Sequence, residues 1–185
     1  MLRVKSTLGC AVLALAVACG GGGNPPPPPP AMATALAYTD PVSADYRLLG
    51  NAALSTPSRL VLDLVGPSSQ NGQGLAFILT ADPAKVSWVQ PPNTTGLVQN
   101  LAFDPGGAVV LTGTDKGGGA LHGAVFRKAG AVPLGQPLAR ICLVLKANAV
   151  PVNTTIGFTL TAGNTLSDTG TVLPLTLATG TLVAK

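Results

Sequence analysis

RLVLDLV (Arg59–Val65) is followed by GPSSQNGQ (Gly66–Gln73) and then by GLAFILTA (Gly74–Ala81), with Asp82-Pro83 closing the stretch. In the first run Leu60, Leu62 and Leu64 alternate with Arg59, Val61, Asp63 and Val65; in the second, Leu75, Phe77 and Leu79 fall on one side. Alternation of this kind divides side chains between the two faces of a strand, and the Gly-Pro and Asn-Gly pairs between the runs are turn formers. The stretch therefore reads as two strands joined by a short connection.

The same pattern recurs on either side. Lys85–Gln90 sets Val86 and Trp88 on one face, and Leu97–Ala102, Ala108–Thr112 and Leu121–Lys128 follow. In Leu138–Lys146, Ala139, Ile141, Leu143 and Leu145 alternate; Thr155–Thr161 groups Ile156, Phe158 and Leu160; Leu173–Ala178 and Thr181–Ala184 end the chain. Turn chemistry separates these runs at Asp104-Pro105-Gly106-Gly107, Gly117–Gly119 and Gly163-Asn164. No segment sustains a helical period between such breakers. The chain lacks Glu altogether, and only 10% of its residues are charged, which is poor material for exposed helix faces. The expectation is an all-β chain, a two-layer antiparallel β-sandwich of the jelly-roll or immunoglobulin-like kind, with about eight to ten strands.

The amino-terminal segment has a different composition. Arg3 and Lys5 precede an apolar run, Leu8 to Ala18, and Ala16, Val17, Ala18 and Cys19 follow at its end. A charged start, an apolar core and small residues describe a secretory signal; the run is too short to cross a hydrocarbon core of about 30 Å. Small residues followed by Cys resemble the lipobox of bacterial lipoproteins. That resemblance implies cleavage between Ala18 and Cys19 and lipidation of Cys19. The family most often carries Leu three residues before the Cys, where this chain has Ala16. Each buried methylene adds about 0.8 kcal/mol, so two or three acyl chains hold a protein firmly on a bilayer.

Gly20 to Gly23, Asn24 and the six prolines Pro25 to Pro30 come next. The glycines form a swivel, and polyproline II rises about 3.1 Å per residue, so the prolines act as a stiff spacer. The organisation expected is a signal peptide over 1–18, a lipidated Cys and Gly/Pro-rich linker over 19–33, and a β-sandwich domain over 34–185. Loss of Arg3 and Lys5 with the signal leaves nine basic against seven acidic groups, a balance of +2. The basic residues are scattered, with no stripe to track phosphates, which excludes a nucleic-acid partner. Of three cysteines, Cys10 is discarded and Cys19 is consumed by lipid, so only Cys142 remains; within Ala139–Leu145 it reads as a small packed hydrophobe.

The body of the chain also resembles cohesin-like modules and related carbohydrate-binding sandwiches. The residues that carry this are Leu60–Val65, the turn Asn71–Gly74, Leu75–Thr80 with Phe77, Asp82-Pro83, Lys85–Val89, Leu138–Lys146 ending in Lys, and Thr155–Leu160. The resemblance covers most of residues 45–185. It implies a noncatalytic module, since cohesins bind dockerin modules through a sheet face.

Catalytic chemistry finds little support. His122 is the single histidine, no G-x-S-x-G elbow surrounds any serine, and a strand-end or turn position is expected for it. One His and one Cys cannot build a structural zinc site, and the seven Asp lack the spacing of a calcium loop, so no metal or cofactor is expected. Three of those Asp precede Pro or sit in turns, and no Glu is present to act as a raised-pKa acid. Lys116-Gly117-Gly118-Gly119 lacks the order of a phosphate loop and reads as a hairpin loop. Asn93-Thr94-Thr95 and Asn153-Thr154-Thr155 match glycosylation acceptors but are expected to serve as turns.

Sugar binding uses planar rings, and Tyr38, Tyr46 and Trp88 are the candidate ligand contacts. The function expected is a membrane-anchored lipoprotein displaying a noncatalytic binding or scaffolding module in the cell envelope, at the outer membrane if the cell is Gram-negative, because Gly20 rather than Asp follows the lipidated Cys. The bilayer is one partner and a protein or glycan the other. A carbohydrate-binding module is the alternative.

Overall fold

Residues 26–103, 113–127 and 130–185 of a computed structural model are described, and they form strands and turns without a helix. The expected signal peptide, Ala18 and Cys19, the Asp104–Gly107 turn, the Ala108–Thr112 strand and Lys128 lie outside the described residues. The architecture is all-β, in two main sheets and a small third one. The first sheet runs β14 (Leu177–Ala178), β2 (Tyr46–Gly50), β3 (Arg59–Val65), β10 (Pro137–Leu145) and β5 (Val86–Val89), with β6 (Val98–Asn100) also on β10. The second runs β13 (Val172–Pro174), β12 (Phe158–Ser167), β4 (Asn71–Ala81), β8 (Ala120–Phe126) and β7 (Gly113–Asp115), with β9 (Val132–Pro133) on the start of β4. The third joins β1 (Leu36–Thr39), β15 (Thr181–Ala184) and β11 (Thr155–Ile156). Pairing is antiparallel except where β14 lies parallel to β2.

Fifteen strands, rather than eight to ten, are present among the described residues because two runs divide and four strands, β1, β2, β7 and β9, lie outside the expected runs. Thr155–Thr161 splits between β11 and β12, which belong to different sheets, and Leu173–Ala178 splits between β13 and β14 in the same way. Asn71-Gly72 and Gly163-Asn164, expected as turns, are inside β4 and β12. These two strands pair over nearly their whole length, Phe158 with Ala81 at one end and Ser167 with Gly72 at the other. Continuous pairing on both sides of β4 overrides local turn preference.

The alternation read in the sequence sets the core. Leu62 pairs with Ile141, Leu60 with Leu143, and Leu143 with Trp88, so these side chains share the inner face of the first sheet. Leu75, Phe77 and Leu79 oppose Val125, Gly123 and Leu121 in the second. Leu48, Leu62, Leu79, Leu121 and Leu143 are fully buried between the sheets. Removing one such leucine side chain costs about 2–5 kcal/mol.

Residues 31–35 and the carboxyl-terminal Lys185 meet at one end of the sandwich. Pro26 to Pro30 are exposed, and Ala33 is buried, its amide donating to the Val150 carbonyl at 2.8 Å. Met32 bridges Pro151, and the amides of Thr34 and Ala35 donate to the Lys185 carbonyl. The folded body therefore takes in Met32 and Ala33. Leu36 and Leu145 bond to the Pro57 and Ser58 carbonyls at the start of β3, which makes this the near end. Val65, Pro137, Gly74 and Phe126 mark the far end, away from the proline spacer.

Candidate interaction face

The outward side of the second sheet is set by register. Thr114, His122, Ile78 and Ala162 stand in one row; Ala124, Ala76, Asn164 and Pro174 in the next; Phe126, Gly74, Leu166 and Val172 in the third, at the far end. None of these residues is a carboxylate, an arginine or a lysine. Val172 is 64% exposed and Phe126 38%. Exposed sheet faces ordinarily carry charged and polar side chains, and these rows carry no charged one.

Small residues give the face its relief. Ala76 and Ala124 border two hollows. One, of about 360 Å³, is lined by Ile78, Thr114, His122, Ala162 and Asn164, with Lys116 on its rim. The other, of about 190 Å³, lies between Phe126 and Leu166 with Gly74 as its floor. A side chain at Gly74 would meet the Phe126 Cβ at 2.5 Å, so the second hollow exists only with glycine there.

His122 is in β8, not at a strand end, and it faces the first hollow from between Thr114 and Ile78. No Ser or Asp stands in its row. The Gly117–Gly119 run is the turn of the β7–β8 hairpin, where the Asp115 Oδ1 accepts from the Gly117 amide at 2.8 Å. Asn93 and Asn153 both take left-handed backbone, which Asn tolerates at turns. Among the described residues no group of three or more His, Cys, Asp or Glu could hold a metal ion.

The aromatic residues expected to contact a ligand are arranged otherwise. Trp88 and Tyr46 are each 7% exposed and present no ring face to solvent, which corrects their assignment as a stacking platform. Trp88 packs against Phe158, with ring centroids 6.1 Å apart, and donates from Nε1 to the Gly119 carbonyl at 2.8 Å. Tyr46 lies against Gly66. Tyr38 is half-buried; its hydroxyl donates to the Leu48 carbonyl and accepts from the Gly180 amide, and its ring meets Phe158 edge-on at 6.5 Å. Burial pushes the Tyr38 hydroxyl up to about 12. A polar handle on an otherwise packed ring hides these roles from sequence reading.

The outward side of the first sheet is built differently. Asp63 accepts from Arg140 Nε at 2.6 Å and Nη2 at 3.1 Å, and from Asn51 Nδ2 at 2.8 Å. Cys142 stands beside Val61 in the same face and is fully buried. Burial pushes its thiol up, an effect the neighbouring Arg59 partly offsets, and the side chain is packed as a small hydrophobe.

No protein-family model matches this sequence, and no curated protein does. The class of fold is nevertheless defined: the chain is a cohesin-like β-sandwich. The cohesin module of a family 33 glycoside hydrolase from Clostridium perfringens superposes over 76% of this chain and 94% of its own, with a TM-score of 0.53 and 10% identity. The sixth cohesin of scaffoldin B from Acetivibrio cellulolyticus, solved in complex with a mutant Cel5 dockerin, does so over 74% and 97%, with a TM-score of 0.52 and 15% identity. At these identities the likeness is one of fold.

Proposed function

We propose that this chain is a lipid-anchored, noncatalytic binding or scaffolding module that receives a protein partner on the outward face of β12, β4, β8 and β7. The observation that carries the reading is the small-residue surface of that sheet, whose three rows carry no charged side chain, with its two hollows. A surface of this composition gains from covering by another apolar surface. The dockerin complex of the Acetivibrio module is consistent with a sandwich of this fold working as a docking platform.

Anchoring is supported by Ala16-Val17-Ala18-Cys19 at the end of a short apolar run, and by the glycine and proline spacer behind it. In this reading Cys19 carries the lipid, the spacer lifts the sandwich from the bilayer, and the domain stands in the cell envelope, at the outer membrane if the cell is Gram-negative.

The experiment compares the full chain, purified in detergent, with Ala76→Arg and Ala124→Glu variants as bait for envelope proteins. One partner retained by wild type and by a charge change on the opposite sheet, and lost by both face variants, is the expected result. Retention by the face variants refutes the site. Mass spectrometry of the mature amino terminus is expected to show an acylated Cys19; a free thiol there refutes the anchor.

A further inference from the structure

We propose that a hollow between β1 and the end of β2 binds a small organic cation, a primary alkylammonium in chemical class. The hollow has a volume of about 440 Å³, within the range of small-molecule sites. Tyr38, Thr39 and Asp40 line it from the end of β1, Gly50 and Ala52 from the end of β2, and Leu60 from β3. Asp40 and Gly50 are exposed, so the approach to both is open. None of these residues belongs to the second sheet, and the site stands apart from the docking face.

Two walls are held in place. The Tyr38 hydroxyl donates to the Leu48 carbonyl at 2.9 Å and accepts from the Gly180 amide at 2.8 Å, and the ring is set edge-on against Phe158. The Asp40 Oδ1 accepts from the Gly50 amide at 2.7 Å. Gly50 keeps the space between these walls open. A Cβ there would stand 3.4 Å from the Asp40 Oδ1 and 3.5 Å from the Tyr38 Cδ1, both ordinary contact distances. A ligand atom in that place touches a carboxylate and an aromatic ring at once, and neither has to move to admit it. Fixed walls lower the ordering cost of binding.

The chemistry of the lining chooses the ligand. Asp40 supplies one negative charge, its Oδ2 has no protein partner among the described residues, and no Lys, Arg or His lines the hollow. An anion is repelled there and a cation attracted. The Ser55 hydroxyl also borders the hollow but is spent, donating to the Asn51 carbonyl and accepting from the Val61 amide. Thr39 is then the one other hydroxyl of the lining that can meet a ligand, too few for a sugar ring with hydroxyls on every side. The Tyr38 ring, Ala52 and Leu60 make up the apolar remainder. A carboxylate and a hydroxyl beside apolar walls match an ammonium head on a short alkyl chain. An exposed carboxylate alone holds a cation weakly, so a dissociation constant of roughly 1–10 mM is expected.

The test uses the full chain in a maltoside detergent and follows the backbone amide resonance of residue 50, with the Trp88 Nε1–H as an internal standard for folding. Titration with butylammonium is expected to move the residue 50 signal saturably and leave Trp88 in place; 1-butanol, butyrate and glucose are expected to move neither. Asp40→Asn keeps an acceptor for the Gly50 amide and removes the charge, and it is expected to weaken butylammonium binding by about tenfold or more. Gly50→Ala sets a methyl group at ordinary contact distance in the space the ligand would fill, and is expected to keep the fold and weaken binding to the same degree. Nα-acetyl-lysine amide carries the same head group on a peptide: tighter binding than butylammonium assigns the cation to a partner's lysine, weaker binding to a free amine. No saturable shift with butylammonium, an equal shift with butanol or butyrate, or wild-type binding by folded Asp40→Asn or Gly50→Ala overturns the proposal. Tighter binding of glucose than of butylammonium overturns the assignment to a cation.

Discussion

The two sheets turn opposite kinds of surface to the outside. The first carries Arg47, Arg59, Arg140 and Asp63, of which Arg140 and Asp63 are joined by a forked ion pair and Asp63 also accepts from the Asn51 amide. The second carries Ala76, Ala124, Ile78, Leu166 and Val172, with no carboxylate or guanidinium in its rows. Both sheets bury leucines on their inner sides, so the difference lies in what each turns outward. A face satisfied by its own charges needs no partner, whereas a bare apolar face gains by being covered. Arg47 breaks the pattern of the first face: its Nε is buried with no acceptor among the described residues, as is the Gln99 Oε1 with no donor.

The strongest test of the stitched face is Asp63→Ala. It strands Arg140 and Asn51 in a half-closed environment, and a loss of about 3 kcal/mol is expected in urea denaturation. The next test compares two arginines. Arg140→Met leaves Asp63 without its charged partner and is expected to cost roughly 2–3 kcal/mol, while Arg47→Met removes an unpaired donor and is expected to cost less than about 0.5 kcal/mol. Equal losses from the two would erase the distinction between a paired and an open arginine.

Tyr38 gives a smaller, pH-dependent effect. Its hydroxyl ordinarily titrates near 10 and is raised to about 12 in the folded chain by burial. Between these values the unfolded chain has lost the proton and the native chain still holds it, so this contribution is complete below pH 10 and is lost as pH climbs through 12. Tyr38→Phe is expected to flatten that part of the stability profile, followed by thermal denaturation across alkaline pH. The smallest stability effect belongs to the bare face. Ala76→Arg is expected to stay within about 0.5 kcal/mol of wild type while abolishing partner capture; a large destabilisation would mean that the face is structural.

Legibility differed by region for physical reasons. Arg59–Val65 and Thr181–Ala184 coincide with β3 and β15, because strict alternation leaves a strand a single register with its apolar set inside. Leu36–Thr39 and Tyr46–Gly50 were not readable as strands, since their pairing depends on β15, β3 and β14, which come later in the chain. The interaction face was illegible for a related reason. Ala76, Ala124 and Asn164 carry no signal singly, and register alone brings them into one row. His122 is the single histidine of the chain, yet its place opposite Ile78 and beside a hollow follows from the same register.

Local rules, then, determined the β class, the main strands, the turn at Asp82-Pro83 and the burial of Cys142, because side-chain alternation and turn chemistry act between near neighbours. Asp82 shows this directly: its carboxylate accepts from the Ala84 amide at 3.0 Å and pairs with Lys85 at 2.9 Å, all within one turn. The tertiary structure alone decided which polar groups are satisfied. Asp63 meets Arg140 across 77 residues, while the Arg47 Nε has no acceptor among the described residues, a result fixed by strand order and register. Contacts between distant segments depend on how the sheets assemble, and no local pattern encodes that.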